Sequence, residues 1–221
     1  HESKRKSEFD TLQSQINPHF LYNTLDSIIW SLRMRQVEES IEMLTALTDF
    51  FKISLSKGRD IITIEEEVRH IKSYLSIQHR RYQEKFDYDI HVDPSILSCR
   101  TPKLILQPAV ENAIYHGIKP MEEKGYIYIH IFPQEGDVIL QVQDTGMGMD
   151  EDTCRRLNRE LDTISSDQQG TGYGVRNVND KIKIVYGSKY GVTIESAMGE
   201  GTVVTLRIGK KGETSDESDY L

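Results

Sequence analysis

The chain has 221 residues and a formal net charge of −8, enough length for one large domain or two small ones and a charge that argues against a nucleic-acid surface. No apolar run reaches the roughly 18 residues a membrane helix needs, and no signal peptide is visible. Cys99 and Cys154 lie far apart without metal-ligand spacing, which fits a reduced compartment and incidental thiols.

The first residue is His rather than Met, so the chain reads as a fragment with an upstream region missing. Residues 4–34 contain no glycine, and Pro18 is their only breaker. Leu21, Leu25, Ile28 and Leu32 recur at helical spacing, and Phe9, Leu12 and Ile16 form a second stripe on another face. At about 100° per residue, His19 falls roughly 160° from Leu21 and faces away from the downstream stripe. Pro18 removes a backbone donor, so a bend just before His19 is expected. A second helix follows on Val37, Ile41, Leu44, Thr48, Phe51 and Leu55, closed by Lys57 and Gly58. One such hairpin leaves apolar faces uncovered. Pairing two of them as a four-helix bundle covers those faces, so residues 1 to about 58 are expected to build a homodimer.

Thr63 with Glu66 is a capping-box signature that opens a third helix, running through Val68, Ile71, Tyr74, Leu75 and Gln78 to about Tyr82. Residues 58–63 read as a hinge before it. Beyond residue 84 the pattern changes. Phe86, Tyr88 and Ile90 alternate as in a strand, and residues 102–117 read as a helix with Pro102 near its start. Residues 126–132 and 138–142 are alternating strands. Residues 150–170 are polar and poor in large apolar groups, and read as a loop or lid. Residues 174–186 are helical, and residues 192–197 and 202–208 are strands around a Gly199-Glu200-Gly201 turn. The expected fold class is α+β, with a mostly antiparallel sheet carrying helices on one face. The expected domains are residues 1–60, a linker helix at 61–84, a second domain at 85–209 and a solvated acidic tail at 210–221. His70, His79, His91 and His130 join no constellation and read as surface or strand histidines.

Three glycine-containing stretches occur in order: DTGMG at 144–148, GTGYG at 170–174 and GEGT at 199–202. Any one alone is ordinary turn chemistry. Together they suggest a nucleotide. Asp144 follows a strand and could accept a hydrogen bond from an exocyclic amine such as that of adenine. Gly146 and Gly148 let backbone approach a flat ring. Gly170, Gly172 and Gly174 precede a helix, so their N–H groups can face phosphate oxygens. Upstream, Glu111, Asn112, Tyr115 and His116 form a polar cluster on a largely apolar helix. The amide oxygen of Asn112 is a hard ligand suited to Mg²⁺.

LQPAVENAIYHG, DTGMGM, GTGYGVRNV and GEGTVVTL, in that order, resemble the ATP-binding domain of sensor histidine kinases. LQSQINPHFLYNTLDSI resembles the phosphoacceptor segment of their YesM/LytS-type subfamily. The resemblance spans about residues 10–208. It implies an α/β sandwich of the histidine kinase/gyrase/Hsp90 type after the helical hairpin, with ATP and Mg²⁺ as cofactors. It implies that His19 is phosphorylated on a ring nitrogen, that Asn112 coordinates Mg²⁺ and that Asp144 recognises adenine. Gly146, Gly148, Gly170, Gly172 and Gly174 would shape the nucleotide pocket and lid, Thr202 would lie near the adenine end, and His116 could reach phosphate. Many relatives carry an acid directly after the phosphoacceptor, where this chain has Phe20. Glu111 is then one candidate for the general base, a partner role for its side chain being the other, and Asn23 stands where an amide or hydroxyl positions water for dephosphorylating the partner. The implied protein is the cytoplasmic portion of a plasma-membrane sensor, a homodimer that passes phosphate to an aspartate of a response-regulator receiver domain. Another ATPase or a protein-serine kinase of the same superfamily, or a nucleotide-binding dimeric scaffold, are the alternatives.

Overall fold

A computed structural model describes residues 17–55, 59–162 and 173–210. These fall into two compact units. One contains the described residues up to Arg59 together with Val68–Arg81; the other contains Asp60–Glu67 and the described residues from Tyr82 onward.

The first unit is helical. Helix α1 (Pro18–Arg33) and helix α2 (Val37–Ser54) form the hairpin, and most of helix α3 (Ile64–Arg81) belongs with them. Asn17 caps α1: its side-chain oxygen accepts from the backbone N–H groups of His19 (3.1 Å) and Phe20 (3.3 Å). Pro18 is therefore the first residue of α1, where its missing N–H costs nothing, and the extended Asn17 before it lies where the bend was expected; the residues upstream lie outside the described residues. The upstream stripe of Phe9, Leu12 and Ile16 lies outside the described residues.

The buried arcs are not the ones with the clearest periodicity. Phe20, Thr24, Ile28 and Ser31 are buried on α1, and Met43, Leu47, Phe50 and Ile53 on α2. Leu25, Leu32, Val37, Ile41, Leu44 and Leu55, all expected in the apolar stripes, are exposed within the single chain. Each helix thus has two apolar arcs, and the chain covers only one of them itself. Phe20 packs on Phe50 (5.0 Å between ring centroids) and on Tyr74 of α3 (5.2 Å). His70 overturns its expected surface position. It is fully buried, stacked 4.5 Å from Phe50, with Nε2 3.0 Å from Ser54 Oγ. Burial lowers its pKa to about 3, so the ring is neutral.

The boundary between the two units falls at Arg59 and Asp60, within the stretch expected to be a hinge, and the second unit continues with strand β1 (Ile61–Thr63). β1 pairs antiparallel with strand β3 (Arg100–Pro102). The expected capping box forms at the start of α3: Glu66 N–H donates to Thr63 Oγ1 (3.1 Å) and Thr63 N–H to Glu66 Oε2 (3.0 Å).

The main sheet comprises β2 (Phe86–Val92), β4 (Gly125–Gln134), β5 (Asp137–Asp144), β6 (Gly191–Ala197) and β7 (Gly201–Gly209), in the order β2-β4-β5-β7-β6. The pair β2–β4 is parallel and the others antiparallel. A two-residue turn, Glu135 and Gly136, both at positive φ, joins β4 to β5 and fixes their register with Gln134 opposite Asp137.

Pro102 ends β3, and helix α4 (Gln107–Asn112) starts five residues later than expected, continuing as a wider π-helical segment, Ala113–Ile118. That segment lies over β4, β5 and β7, while helix α6 (Tyr173–Tyr186) covers β6 and β7. Alternate residues Ile127, Ile129, Val138, Leu140, Val142, Val204 and Leu206 are buried on this face.

The stretch expected to be a loop or lid contains helix α5 (Glu151–Asp162). It docks through polar groups. Asn158 donates to the carbonyl of Ile194 (2.7 Å) and accepts from its N–H (2.9 Å), so the side-chain amide occupies the place of a sixth strand along edge strand β6. Asn179 of α6 accepts from Val192 N–H (3.0 Å) on the same edge. Residues 163–170 of the expected lid lie outside the described residues.

Candidate nucleotide-binding and phosphoacceptor sites

Asp144 ends β5 on the helix-covered face and is 4% exposed. The register sets it opposite Thr202, and Thr202 opposite Ser196, so the three form a row across β5, β7 and β6. Asp144 Oδ1 accepts from Gly146 N–H at 2.8 Å. Burial pushes the Asp144 carboxyl up to about 6 against the opposing pull of the Gly146 and Thr202 N–H groups.

The loop after Asp144 is fastened at both ends. Met147 N–H donates to the Gly117 carbonyl (2.9 Å), Gly199 N–H to the Met147 carbonyl (2.7 Å), and Met149 N–H to Ser196 Oγ (3.0 Å). Ser196 Oγ also donates to the Gly201 carbonyl and meets Thr202 Oγ1, each at 2.8 Å. A Cβ on Gly146 would lie 2.5 Å from Gly117 Cα, and one on Gly117 would lie 2.7 Å from Asp144 Oδ1. Backbone therefore touches backbone directly beside the carboxylate. Gly148 has φ +62°, and a Cβ there would meet the Ala197 carbonyl oxygen at 1.9 Å. Gly117 and Ser196 were not singled out in the sequence. The signal for Gly117 is its place in an apolar helical run, where glycine is unfavourable unless something approaches closely.

Glu111 and Asn112 end α4, both half-buried, and His116 is exposed on the π-helical segment. Gln107 Nε2 donates to Glu111 Oε1 at 2.8 Å. Gly174 opens α6 against Pro108 of α4, since a Cβ there would lie 3.0 Å from Pro108 Cβ. Gly170 and Gly172 lie outside the described residues. Among the described residues no cluster of three or more acidic, histidine or cysteine side chains could hold a metal by itself. The residues that are present fit Mg²⁺ that arrives with phosphate oxygens, with the Asn112 amide oxygen as the protein's hard ligand. They fit a flat amine-bearing base where glycine backbone meets Asp144.

The other site is on α1. His19 is exposed, and Asn23 Nδ2 lies 3.0 Å from each of its ring nitrogens, facing the edge between them. Phe20, the next residue, points into the core at 5% exposure. His19 and Asn23 belong to the helical unit. Glu111, Asn112, His116, Asp144, Gly146, Gly148, Gly174 and Thr202 belong to the sheet unit.

Residues 7–86 match a family model described as Histidine kinase. Residues 100–212 match the model of the Histidine kinase-, DNA gyrase B-, and HSP90-like ATPases. The chain belongs to the histidine kinase family. Sensor histidine kinase YesM of Bacillus subtilis is 34% identical over 95% of this chain and 34% of that protein. Sensor protein LytS of Bacillus cereus is 31% identical over 93% of this chain and 34% of that protein. The chain thus spans about a third of the length of these relatives. In fold it resembles the histidine kinase domain of the Erythrobacter litoralis EL346 blue-light activated histidine kinase, with a TM-score of 0.51 and 16% identity over 93% of this chain and 95% of that one. This histidine kinase therefore pairs a helical histidine segment with an ATP-binding α+β domain. Among the described residues no helix is long and apolar enough to cross a membrane.

Proposed function

We propose that this histidine kinase chain is the catalytic core of a dimeric sensor protein, which phosphorylates His19 from MgATP and passes the phosphoryl group to an aspartate on a response-regulator receiver domain. The observation that carries the proposal is the exposed His19 at the start of α1, in the same chain as the glycine-lined Asp144 site. Bound MgATP supplies the phosphoryl group and the neutralisation of its charge. Asp144 accepts the exocyclic amine of adenine, with Thr202 beside it. Gly146 and Gly148 let backbone lie against the ring, Asn112 would hold the metal with His116 within reach of phosphate, and the family resemblance alone assigns Gly170, Gly172 and Gly174 to the phosphate end.

Neutral His19 attacks with a ring-nitrogen lone pair. An N–P bond forms as the bond from phosphorus to the ADP oxygen breaks, and the proton on the other ring nitrogen passes to a base. Phe20 is turned into the core, so that base comes from elsewhere in the protein; Glu111 is the proposed acceptor. Asn23 orients the His19 ring and is placed to hold water when the partner is dephosphorylated. The exposed arcs of α1 and α2 support homodimerisation through a four-helix bundle. The sensor names and greater length of the relatives support a cytoplasmic location below a membrane-anchored region.

Incubation with γ-labelled ATP tests this. Acid-labile, alkali-stable label is expected on wild type and none on His19→Gln. Undiminished label on His19→Gln would remove His19 as the acceptor, and acid-stable label would remove the histidine kinase assignment.

A further inference from the structure

The nucleotide reading uses no residue of the first turn of α3, yet that turn contains a fully buried carboxylate. Glu67 is 0% exposed. Its Oε2 accepts from Leu104 N–H at 2.8 Å and its Oε1 from Leu106 N–H at 2.9 Å. Leu104 sits at φ +61°, a conformation that a leucine adopts only under constraint. Leu106 is the N-cap of α4, and its side chain cannot cap, while Pro108 has no N–H to offer. The start of the helix bearing Glu111 and Asn112 therefore takes its acceptor from a residue 39 positions earlier in sequence. An anion at a helix N-terminus also suits the helix dipole. The charged groups at this corner are Lys181 of α6, with Lys103 of the loop and Asp60 before β1, which pair at 3.8 Å.

We infer that Glu67 is a positioning residue for Mg²⁺–nucleotide binding: its two carboxylate oxygens hold the 104–106 loop, and through it fix the start of the short helix α4, whose last residue is Asn112. The inference rests on the nucleotide reading above. It distinguishes the two ends of the site, because Asp144 and Thr202 stand on β5 and β7 and meet the helical run only at Gly117, ten residues beyond the start of α4, whereas Asn112 stands on α4 itself. Glutamine at position 67 keeps the shape but has one acceptor oxygen for two amides and turns an NH₂ toward the other.

The test is equilibrium binding of MgATP and of adenosine to the 221-residue chain and its Glu67→Gln variant. Glu67→Gln is expected to bind MgATP about tenfold more weakly and adenosine within about twofold of wild type. Burial pushes the Glu67 carboxyl up to about 7 against the pull of the Leu106, Leu104 and Ile105 N–H groups and of Lys181. Only the ionised form serves both amides fully, so the wild-type advantage for MgATP should grow as pH rises through neutrality. The titrations of ATP and of Asp144 occur in both proteins and cancel in the comparison.

Equal MgATP affinity in the two proteins overturns the inference, and so does equal loss of MgATP and adenosine binding. If wild type binds neither ligand, the nucleotide reading itself falls and the inference with it. Should Glu67→Gln not fold, NMR of the wild type decides. The Leu104 and Leu106 amide signals and the Asn112 side-chain amide should titrate with a common midpoint near 7, and an Asn112 signal that stays still refutes the coupling.

Discussion

Asp144 is a carboxylate kept among backbone atoms, its Oδ1 held by the Gly146 N–H and the space beside it set by two glycines whose backbones touch. Its pKa is raised above that of the unfolded chain, to about 6. The folded protein therefore binds more protons than the unfolded one between about pH 4 and 6. Stability falls as pH rises through that window, and the cost, on the order of 3 kcal/mol, is fully present above it. Asp144→Asn should flatten this part of the stability–pH curve and be more stable than wild type at pH 7, as measured by urea unfolding across the range. Adenosine affinity should run the other way in wild type, weakening below pH 6 as the carboxylate is lost, and should be weak at every pH in Asp144→Asn. The sequence made Asp144, Gly146 and Gly148 legible because glycine after a strand end demands a reason. Gly117 was hidden, because the residue it touches is remote in sequence.

Helices were legible where they bury an apolar arc and less so where they do not. α3 announced itself through Thr63 and Glu66, and that capping box is present with both hydrogen bonds. α5 escaped notice because it carries only Cys154, Leu157 and Leu161 toward the sheet and attaches through Asn158. An asparagine that satisfies both backbone groups of Ile194 does by hydrogen bonding what a leucine would do by burial. Asn158→Ala should cost about 2 kcal/mol in chemical denaturation, because it leaves a donor and an acceptor of an edge strand unpaired. Asn158→Leu should not recover the loss, although it restores apolar contact. His70 is a related case: in isolation it reads as an ordinary surface histidine, and only its setting beside Phe50 and Ser54 reveals a neutral core residue.

For the whole molecule, the sequence pattern made one apolar stripe legible on each helix of the hairpin, mostly the stripe that a single chain leaves exposed, and not the arc of Phe20, Met43, Leu47 and Phe50 that the chain buries. The arc of Leu25, Leu32, Ile41 and Leu44 remains open within the chain, and an apolar face of that extent calls for a partner. Replacing Ile41 and Leu44 together by glutamate should weaken self-association by about a hundredfold, since each charge would have to be desolvated in the interface. Sedimentation velocity should then show a monomer with unchanged adenosine binding; a persisting dimer would place the contact elsewhere. The hairpin of Glu135 and Gly136 has a further consequence. Because that turn fixes the pairing from Gln134 opposite Asp137 to Ile127 opposite Asp144, the strand works as a ruler with the buried Asp144 carboxylate at its far end. Side chains alternate at every step, so one residue added or removed within β5 would deliver Asp144 to the uncovered side of the sheet without altering a single residue of the DTGMG stretch. Homologues with this chemistry should therefore vary freely in the composition of β5's outward positions yet show no single-residue insertions or deletions between the turn and the aspartate.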